Sequence, residues 1–269
     1  MVERFHPEEI VLTWDEKLNH GGDNFRKALV AYKEQRVETE DTRKIFETIH
    51  HIKNFTDALG VKTIFPYNLE ADDIIAFLTL SPQFSDKHNI VVSSDKDLLQ
   101  LISAGTSIYS PNKKVVIDQT NFEDEVEVPL SNFLLYKAIL GDVSDNISGL
   151  HKYGPVKSKI LVNKLAELKV SYIDAPASIL NAEQIAIITR NLSIMDLRLG
   201  YPLEVVNYQA QYDAQCNLAF DGDVFSELCR KYHFHNYTRE IGTWRKLFNG
   251  TEQTGEMGAD FNILDFISI

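Results

Sequence analysis

Short β-rich runs alternate with stretches of helical period over the first half of this chain, and that alternation restricts what it can fold into. Ile10–Thr13 (IVLT), Val61–Phe65 and Ile90–Ser93 (IVVS) are rich in β-branched residues, and each reads as a strand, the first of them buried. Between the first two, Ile45, Phe46, Ile49, Ile52, Phe55 and Leu59 recur at helical spacing; Asp41 or Thr42 caps this helix and Gly60 stops it. Ala71–Leu80 reads as a second helix, and a short one follows Asp97. Ser107–Ser110 and Lys114–Ile117 flank a Pro-Asn turn and read as a strand pair. The expected fold class is α/β with a mostly parallel sheet.

After Pro129 the pattern turns helical. Ser131 is expected to cap a helix running to Leu140, with Gly141 ending it, and Pro155 suits the first turn of another that carries Val156, Ile160, Leu161 and Leu165. The expected organisation is an α/β core over residues 1–129, a helical region over 130–248, and a polar linker with an apolar tail over 249–269.

The 269 residues are 44% hydrophobic, enough for a packed core, and no apolar run reaches membrane-spanning length. Two cysteines in no metal-like spacing, Cys216 and Cys229, fit a reducing compartment and ordinary packing. The net charge of −12 taken alone argues against a nucleic-acid partner. That inference weakens if carboxylates are clustered around cations, because such groups are not free surface charge.

Carboxylates do cluster, each time at the end of an element. Asp15 follows the strand IVLT. Glu70, Asp72 and Asp73 (LEADD) open a helix, with Glu70 and Asp73 spaced to share a face. Asp95 and Asp97 (SSDKD) follow the strand IVVS, and Asp142 and Asp145 (GDVSDN) follow a helix end. In open α/β sheets, ligands bind beyond the carboxyl ends of the strands. One such residue alone reads as a helix cap. Four clusters brought together are costly without a cation, and their hard oxygens suit Mg²⁺, with Mn²⁺ able to substitute. Two such ions can activate water and stabilise the leaving oxygen of a phosphodiester.

In this order and spacing the segments TWDEK, FRKALVAYKEQR, LEADDIIAFL, VVSSDKDLLQL and AILGDVSDNISGLHKYGPVKSK resemble the bacterial and phage 5′-nucleases, the flap endonucleases and 5′–3′ exonucleases that include phage RNase H and the 5′-nuclease domain of DNA polymerase I. With FSELCRKYHFHNYTRE the likeness runs from about residue 10 to residue 247. The resemblance implies a PIN-like core, a helix–three-turn–helix element, and two-metal cleavage of 5′ flaps and 5′ ends of DNA and of RNA primers during replication. It implies Asp15, Glu70, Asp72 and Asp95 nearest the metals, with Asp15 and Asp95 catalytic. Asp73, Asp97, Asp142 and Asp145 become ligands or outer groups. Lys33, after Tyr32, becomes the arch lysine that meets the scissile phosphate, and Arg26 and Arg36 grip the strand. In the helix–three-turn–helix, Gly149, Lys152, Gly154, Lys157 and Lys159 become the duplex grip. Lys152 stands where the family pattern has a glycine. Some relatives also hold K⁺ in this element.

The implied partners are branched or flapped DNA and RNA–DNA duplexes, met by a monomer in the cytoplasm of a bacterium or an infected host cell. Against the family pattern, a first strand with its own Asp is expected to be missing from the front. An upstream start, a separate polypeptide that completes the fold, and a catalytically impaired DNA-binding scaffold are the competing accounts. A PIN-type ribonuclease is the rival enzyme reading, and the helix–three-turn–helix segment argues against it. In the tail, Phe261, Ile263, Leu264 and Phe266 resemble the short apolar motifs by which replication proteins hold a sliding clamp; a single-strand-binding protein is the other expected partner.

Overall fold

The computed structural model of the protein describes residues 1–14, 25–30, 32–33, 40–66, 69–200 and 205–248. Asp15, Arg36 and the tail with Phe261, Ile263, Leu264 and Phe266 lie outside the described residues. In chain order the elements are α1 (Val2–Phe5), β1 (Val11–Thr13), α2 (Glu40–Ala58), β2 (Lys62–Ile64), α3 (Ala71–Leu80), α4 (Pro82–Ser85), β3 (Asn89–Val92), β4 (Thr106–Ser110) and β5 (Val115–Ile117). They continue as α5 (Phe122–Val126), α6 (Phe133–Leu140), β6 (Gly141–Asp142), β7 (Ile147–Ser148), α7 (Pro155–Leu168), α8 (Ala182–Met195), α9 (Val205–Asp213), α10 (Gly222–Lys231), α11 (His235–Arg239) and α12 (Ile241–Phe248). The chain divides into two compact units, each built from separated stretches rather than meeting at one boundary near residue 130.

One unit comprises Met1–Trp14, Thr39–Ile64 and Gln209–Ile269. Here β1 and β2 pair in parallel, with Val11 opposite Lys62 and Thr13 opposite Ile64. The helix expected from Asp41 is α2, and Phe55 and Ala58 on it pack against Phe225, Cys229 and Trp244. Asp221 caps α10 by accepting from the backbone N–H groups of Asp223 and Val224 at 3.1 and 3.0 Å. Cys229 is buried in that core and Cys216 is exposed, both as free thiols.

The other unit comprises Asp15–Glu38 and Phe65–Tyr208. Its sheet has the order β3-β4-β5, parallel between β3 and β4 and antiparallel between β4 and β5. The expected helix Ala71–Leu80 is α3, and the short helix after Asp97 is a 3₁₀ helix, Asp97–Leu101. Leu98 and Leu101 on it join Ile108, Ile117, Phe122 and Phe133 in one core cluster. A second cluster joins Ala138 and Ile139 of α6 to Leu161 and Leu165 of α7 and Ile188 of α8. The buried Asn191 side chain donates to Ala138 O at 2.8 Å and to Ser148 O at 3.0 Å, so α8 holds the α6 end and β7 in place.

Ser131 does not cap α6. It lies in a 3₁₀ turn, Leu130–Asn132, closed by the Asn132 N–H donating to Pro129 O at 2.9 Å, and α6 begins only at Phe133. A proline that fixes the chain just before a helix favours such a tight i→i+3 turn. No helix among the described residues is long and apolar enough to cross a membrane.

Candidate active site

Six carboxylates from three separate segments line one pocket of about 150 Å³ in the second unit: Glu70, Asp72, Asp95, Asp97, Asp142 and Asp145. Glu70 is the extended residue that precedes α3, and Asp72 is in the first turn of that helix. Asp95 follows β3, and Asp97 opens the 3₁₀ helix, its N–H donating to Asp95 Oδ1 at 2.8 Å. Asp142 and Asp145 belong to the hairpin formed by β6 and β7, in which Asp142 pairs with Ile147. Asp142 Oδ1 accepts from the Ser144 N–H at 2.9 Å and its hydroxyl at 2.5 Å, which fixes the carboxylate on the hairpin.

Among the described residues, two lysines reach this acidic group. Lys33 Nζ donates to Glu70 Oε1 at 2.6 Å and lies 3.8 Å from Asp145 Oδ2. Its backbone, at φ +55, donates to Asp145 O at 3.2 Å. Lys137, in the last turn of α6, lies 2.7 Å from Asp97 Oδ1 and 3.0 Å from Asp142 Oδ2. The buried Tyr32 hydroxyl donates to Glu70 Oε2 at 2.7 Å.

The titration of these groups follows from their partners. Burial opposes charge on Glu70, but the Lys33 ammonium, the Tyr32 hydroxyl and the Arg26 guanidinium outweigh it and hold its carboxyl below the usual range. Burial also works against Asp142, where Ser144 and Lys137 prevail and lower its value. Burial wins at Asp97, with Asp95 and Asp142 nearby, and raises its carboxyl despite Lys137. Lys137 is raised, since Asp97 and Asp142 outweigh its own burial. Burial and Glu70 together push the Tyr32 phenol up, so it remains a hydrogen-bond donor.

Arg26 departs from its expected strand-gripping role, and Asp73, expected as a ligand or an outer group, pairs with it behind Glu70. Helical spacing gives Glu70 and Asp73 one face only if both are helical, and Glu70 is extended. Asp73 turns inward instead: Arg26 Nη1 and Nη2 donate to its two oxygens at 2.8 and 2.6 Å, and the Glu70 N–H donates to Oδ2 at 3.0 Å. Arg26 Nε donates to Ile194 O at 2.9 Å. With 2% of its side chain exposed, Arg26 is a structural cation rather than a strand-gripping one. Gly200 completes this enclosure, because a Cβ there would lie 2.5 Å from Asp73 Oδ1.

The segment expected to hold duplex backbone lies after β7. Lys152 adopts φ +65, the left-handed conformation that glycine takes freely. Gly154 precedes α7, and Pro155 opens that helix as expected. Lys152, Gly154 and Lys157 are exposed around the helix start. Gly149 serves a different need: a Cβ there would lie 2.1 Å from Leu140 O, so it lets the hairpin cross the end of α6. Lys159 is drawn to the Glu127 carboxylate. Sequence reasoning missed Lys137, although a lone lysine in the apolar run FLLYKAIL, five residues before Asp142, is the signal that could have found it.

The donor chemistry, hard anionic oxygens, fits a divalent cation. Among the described residues, no three of these side chains are gathered around one point as ligands of a single ion. Lys33 pairs with Glu70, and Lys137 with Asp97 and Asp142.

Parallel strand pairs with carboxylates at the carboxyl end of β3 define the class, an α/β fold. Residues 1–127 match the family described as 5'-3' exonuclease, N-terminal resolvase-like domain. The chain is 32% identical over 171 residues to a 5'-3' exonuclease of Mycoplasmopsis pulmonis, which covers 63% of this chain and 55% of that one. It is 29% identical to the flap endonuclease Xni of Shewanella denitrificans, over 64% of this chain and 66% of that one. It superposes on the bacteriophage T5 D15 flap endonuclease, solved as a pseudo-enzyme-product complex with DNA and metal ions, with TM-score 0.59 and 19% identity over 91% of this chain and 87% of that one. The chain spans about half the length of the curated relatives it matches, 50% to 57% of three 5'-3' exonucleases.

Proposed function

We propose that this chain is a divalent-metal-dependent phosphodiesterase that cleaves 5′ flaps and 5′ ends of DNA, and RNA primers paired to DNA, during replication. The observation that carries the reading is the convergence of six carboxylates on one pocket with Lys33 beside them. Glu70, Asp72, Asp95, Asp97, Asp142 and Asp145 would hold two Mg²⁺ or Mn²⁺ ions, with Asp15 as a further ligand. The ions would supply an activated water and charge neutralisation at the leaving oxygen. Lys33, released from Glu70, would place its ammonium on the scissile phosphate. Tyr32, held protonated, keeps Glu70 oriented while Lys33 moves.

The exposed start of α7, with Lys152 and Lys157, would take duplex phosphates without reading sequence, with Gly154 leaving room for the backbone and K⁺ as a candidate bridging ion. Arg36 and the tail carry the remaining proposals, strand contact and docking to a sliding clamp or single-strand-binding protein. The proposed setting is the cytoplasm, and the proposed active form a monomer. Two named relatives support the activity: one is a 5'-3' exonuclease and another a flap endonuclease.

The test is cleavage of end-labelled 5′-flap DNA, blunt duplex and single-stranded RNA by the 269-residue chain, in Mg²⁺ and in EDTA. Mg²⁺-dependent release of the flap ahead of single-stranded RNA is expected. Preferential cleavage of single-stranded RNA would favour a PIN-type ribonuclease, and DNA binding without cleavage a scaffold.

A further inference from the structure

The two lysines at the pocket are not equivalent. Lys33 has a single carboxylate at bonding distance and sits in a turn with a left-handed backbone. Lys137 bridges two carboxylates on different elements, Asp97 of the 3₁₀ helix and Asp142 of the hairpin. It projects from α6 with 14% of its side chain exposed, next to Ala138 and Ile139, which are fully buried and fix that helix. Asp142 is further restrained by Ser144. Lys137 is therefore a fixed cation among groups that have the chemistry to bind metal.

We propose that Lys137 is a built-in counter-cation that weakens divalent-ion binding on the Asp97–Asp142 side of the pocket, making the site asymmetric. The proposal rests on the metal-dependent reading above. An ion approaching Asp97 and Asp142 meets an ammonium already within 3.0 Å of both. It must compete with that charge for the same oxygens. On the Glu70 side the lysine is instead the one on the turn, with one carboxylate at bonding distance. Lys137 is thus a positioning residue. It holds two ligand-bearing elements together in the metal-free protein and sets how readily the second ion enters.

The test is titration of the full, metal-stripped chain with Mn²⁺ in the absence of DNA, read by calorimetry and by the Mn²⁺-induced rise in Tm. Lys137→Met and Lys137→Gln remove the charge, the second keeping a donor between the carboxylates. Lys137→Arg keeps the charge, and Lys33→Met is the comparison. At the effective dielectric of a partly exposed site, removing the charge should tighten the weaker Mn²⁺ step by about tenfold or more. Lys137→Arg should bind as the wild type does, and both neutral variants should gain more Tm from Mn²⁺. A neutral variant with unchanged or weaker Mn²⁺ binding would overturn the proposal while leaving the metal reading intact. If wild type and neutral variants alike bind no Mn²⁺, the metal reading falls and this inference with it.

Discussion

Arg26 and Asp73 form a bidentate pair, at 2.8 and 2.6 Å, with 2% and 0% of their side chains exposed. Forty-seven residues apart, they join the short 3₁₀ segment Phe25–Ala28 to the first turn of α3, directly behind Glu70. Removing one member leaves a buried charge without its partner. Asp73→Asn and Arg26→Met should each destabilise the chain by about 3–5 kcal/mol, measured by urea unfolding. Mn²⁺ affinity of folded Asp73→Asn should match the wild type, since Asp73 faces Arg26 rather than the pocket. A mild loss of stability with abolished Mn²⁺ binding would return Asp73 to the ligand set.

Much of the framework was legible in the sequence, and the reasons are local. Ala71–Leu80 opens with acids and then runs largely apolar up to Ser81-Pro82, and α3 has those bounds. The strands around Ile90 and on both sides of the Pro-Asn turn lie within about a residue of their expected limits. The acids at element ends were visible for the same reason, since turns and caps leave local marks. What sequence spacing could not show was pairing. Nothing local distinguishes Asp73, which meets a distant arginine, from Asp72, which lines the pocket. Lys137 likewise becomes informative only when the fold brings Asp97, forty residues earlier, to its Nζ.

Lys152 holds φ +65 with a side chain attached. A left-handed residue costs roughly 1–2 kcal/mol, partly offset in a glycine variant by the greater backbone entropy lost on folding. Lys152→Gly should therefore stabilise the chain by roughly 0.5–1 kcal/mol, read by thermal or urea unfolding. The same variant should weaken duplex binding and lower its salt slope by about one. Stabilisation with unchanged salt dependence would make Lys152 a backbone accident rather than a phosphate contact.

Lys157, exposed in the first turn of α7, has no structural task in the core. Lys157→Ala should leave stability nearly unchanged and reduce the slope of log K against log salt by about one. Fluorescence anisotropy of a labelled duplex across a salt series checks this, and an unaltered slope would remove Lys157 from the interface.

Glu70 gives the metal-free protein a defined acid sensitivity. Its folded-state value lies below the usual one, through Lys33, Tyr32 and Arg26 acting against burial. Its contribution to stability is thus fully present above the unfolded value of about 4.3 and is lost as pH falls through the lower folded value. In EDTA, the stability advantage of wild type over Glu70→Gln should shrink steadily as pH falls below that point. An advantage that grows on acidification would contradict the ion-pair geometry at Lys33.

If phosphodiesters are cut in the acidic pocket, neutralising its carboxylates must slow cleavage. The measurement is the single-turnover rate of 5′-flap cleavage in Mg²⁺ for the wild type, Asp95→Asn and Asp142→Asn, with folding checked by circular dichroism. Both variants should remain folded, bind flap DNA, and cleave at least roughly 100-fold more slowly, the upper end of what loss of a group that merely supports a metal ligand costs. Cleavage at the wild-type rate by both variants would place the chemistry somewhere other than this pocket.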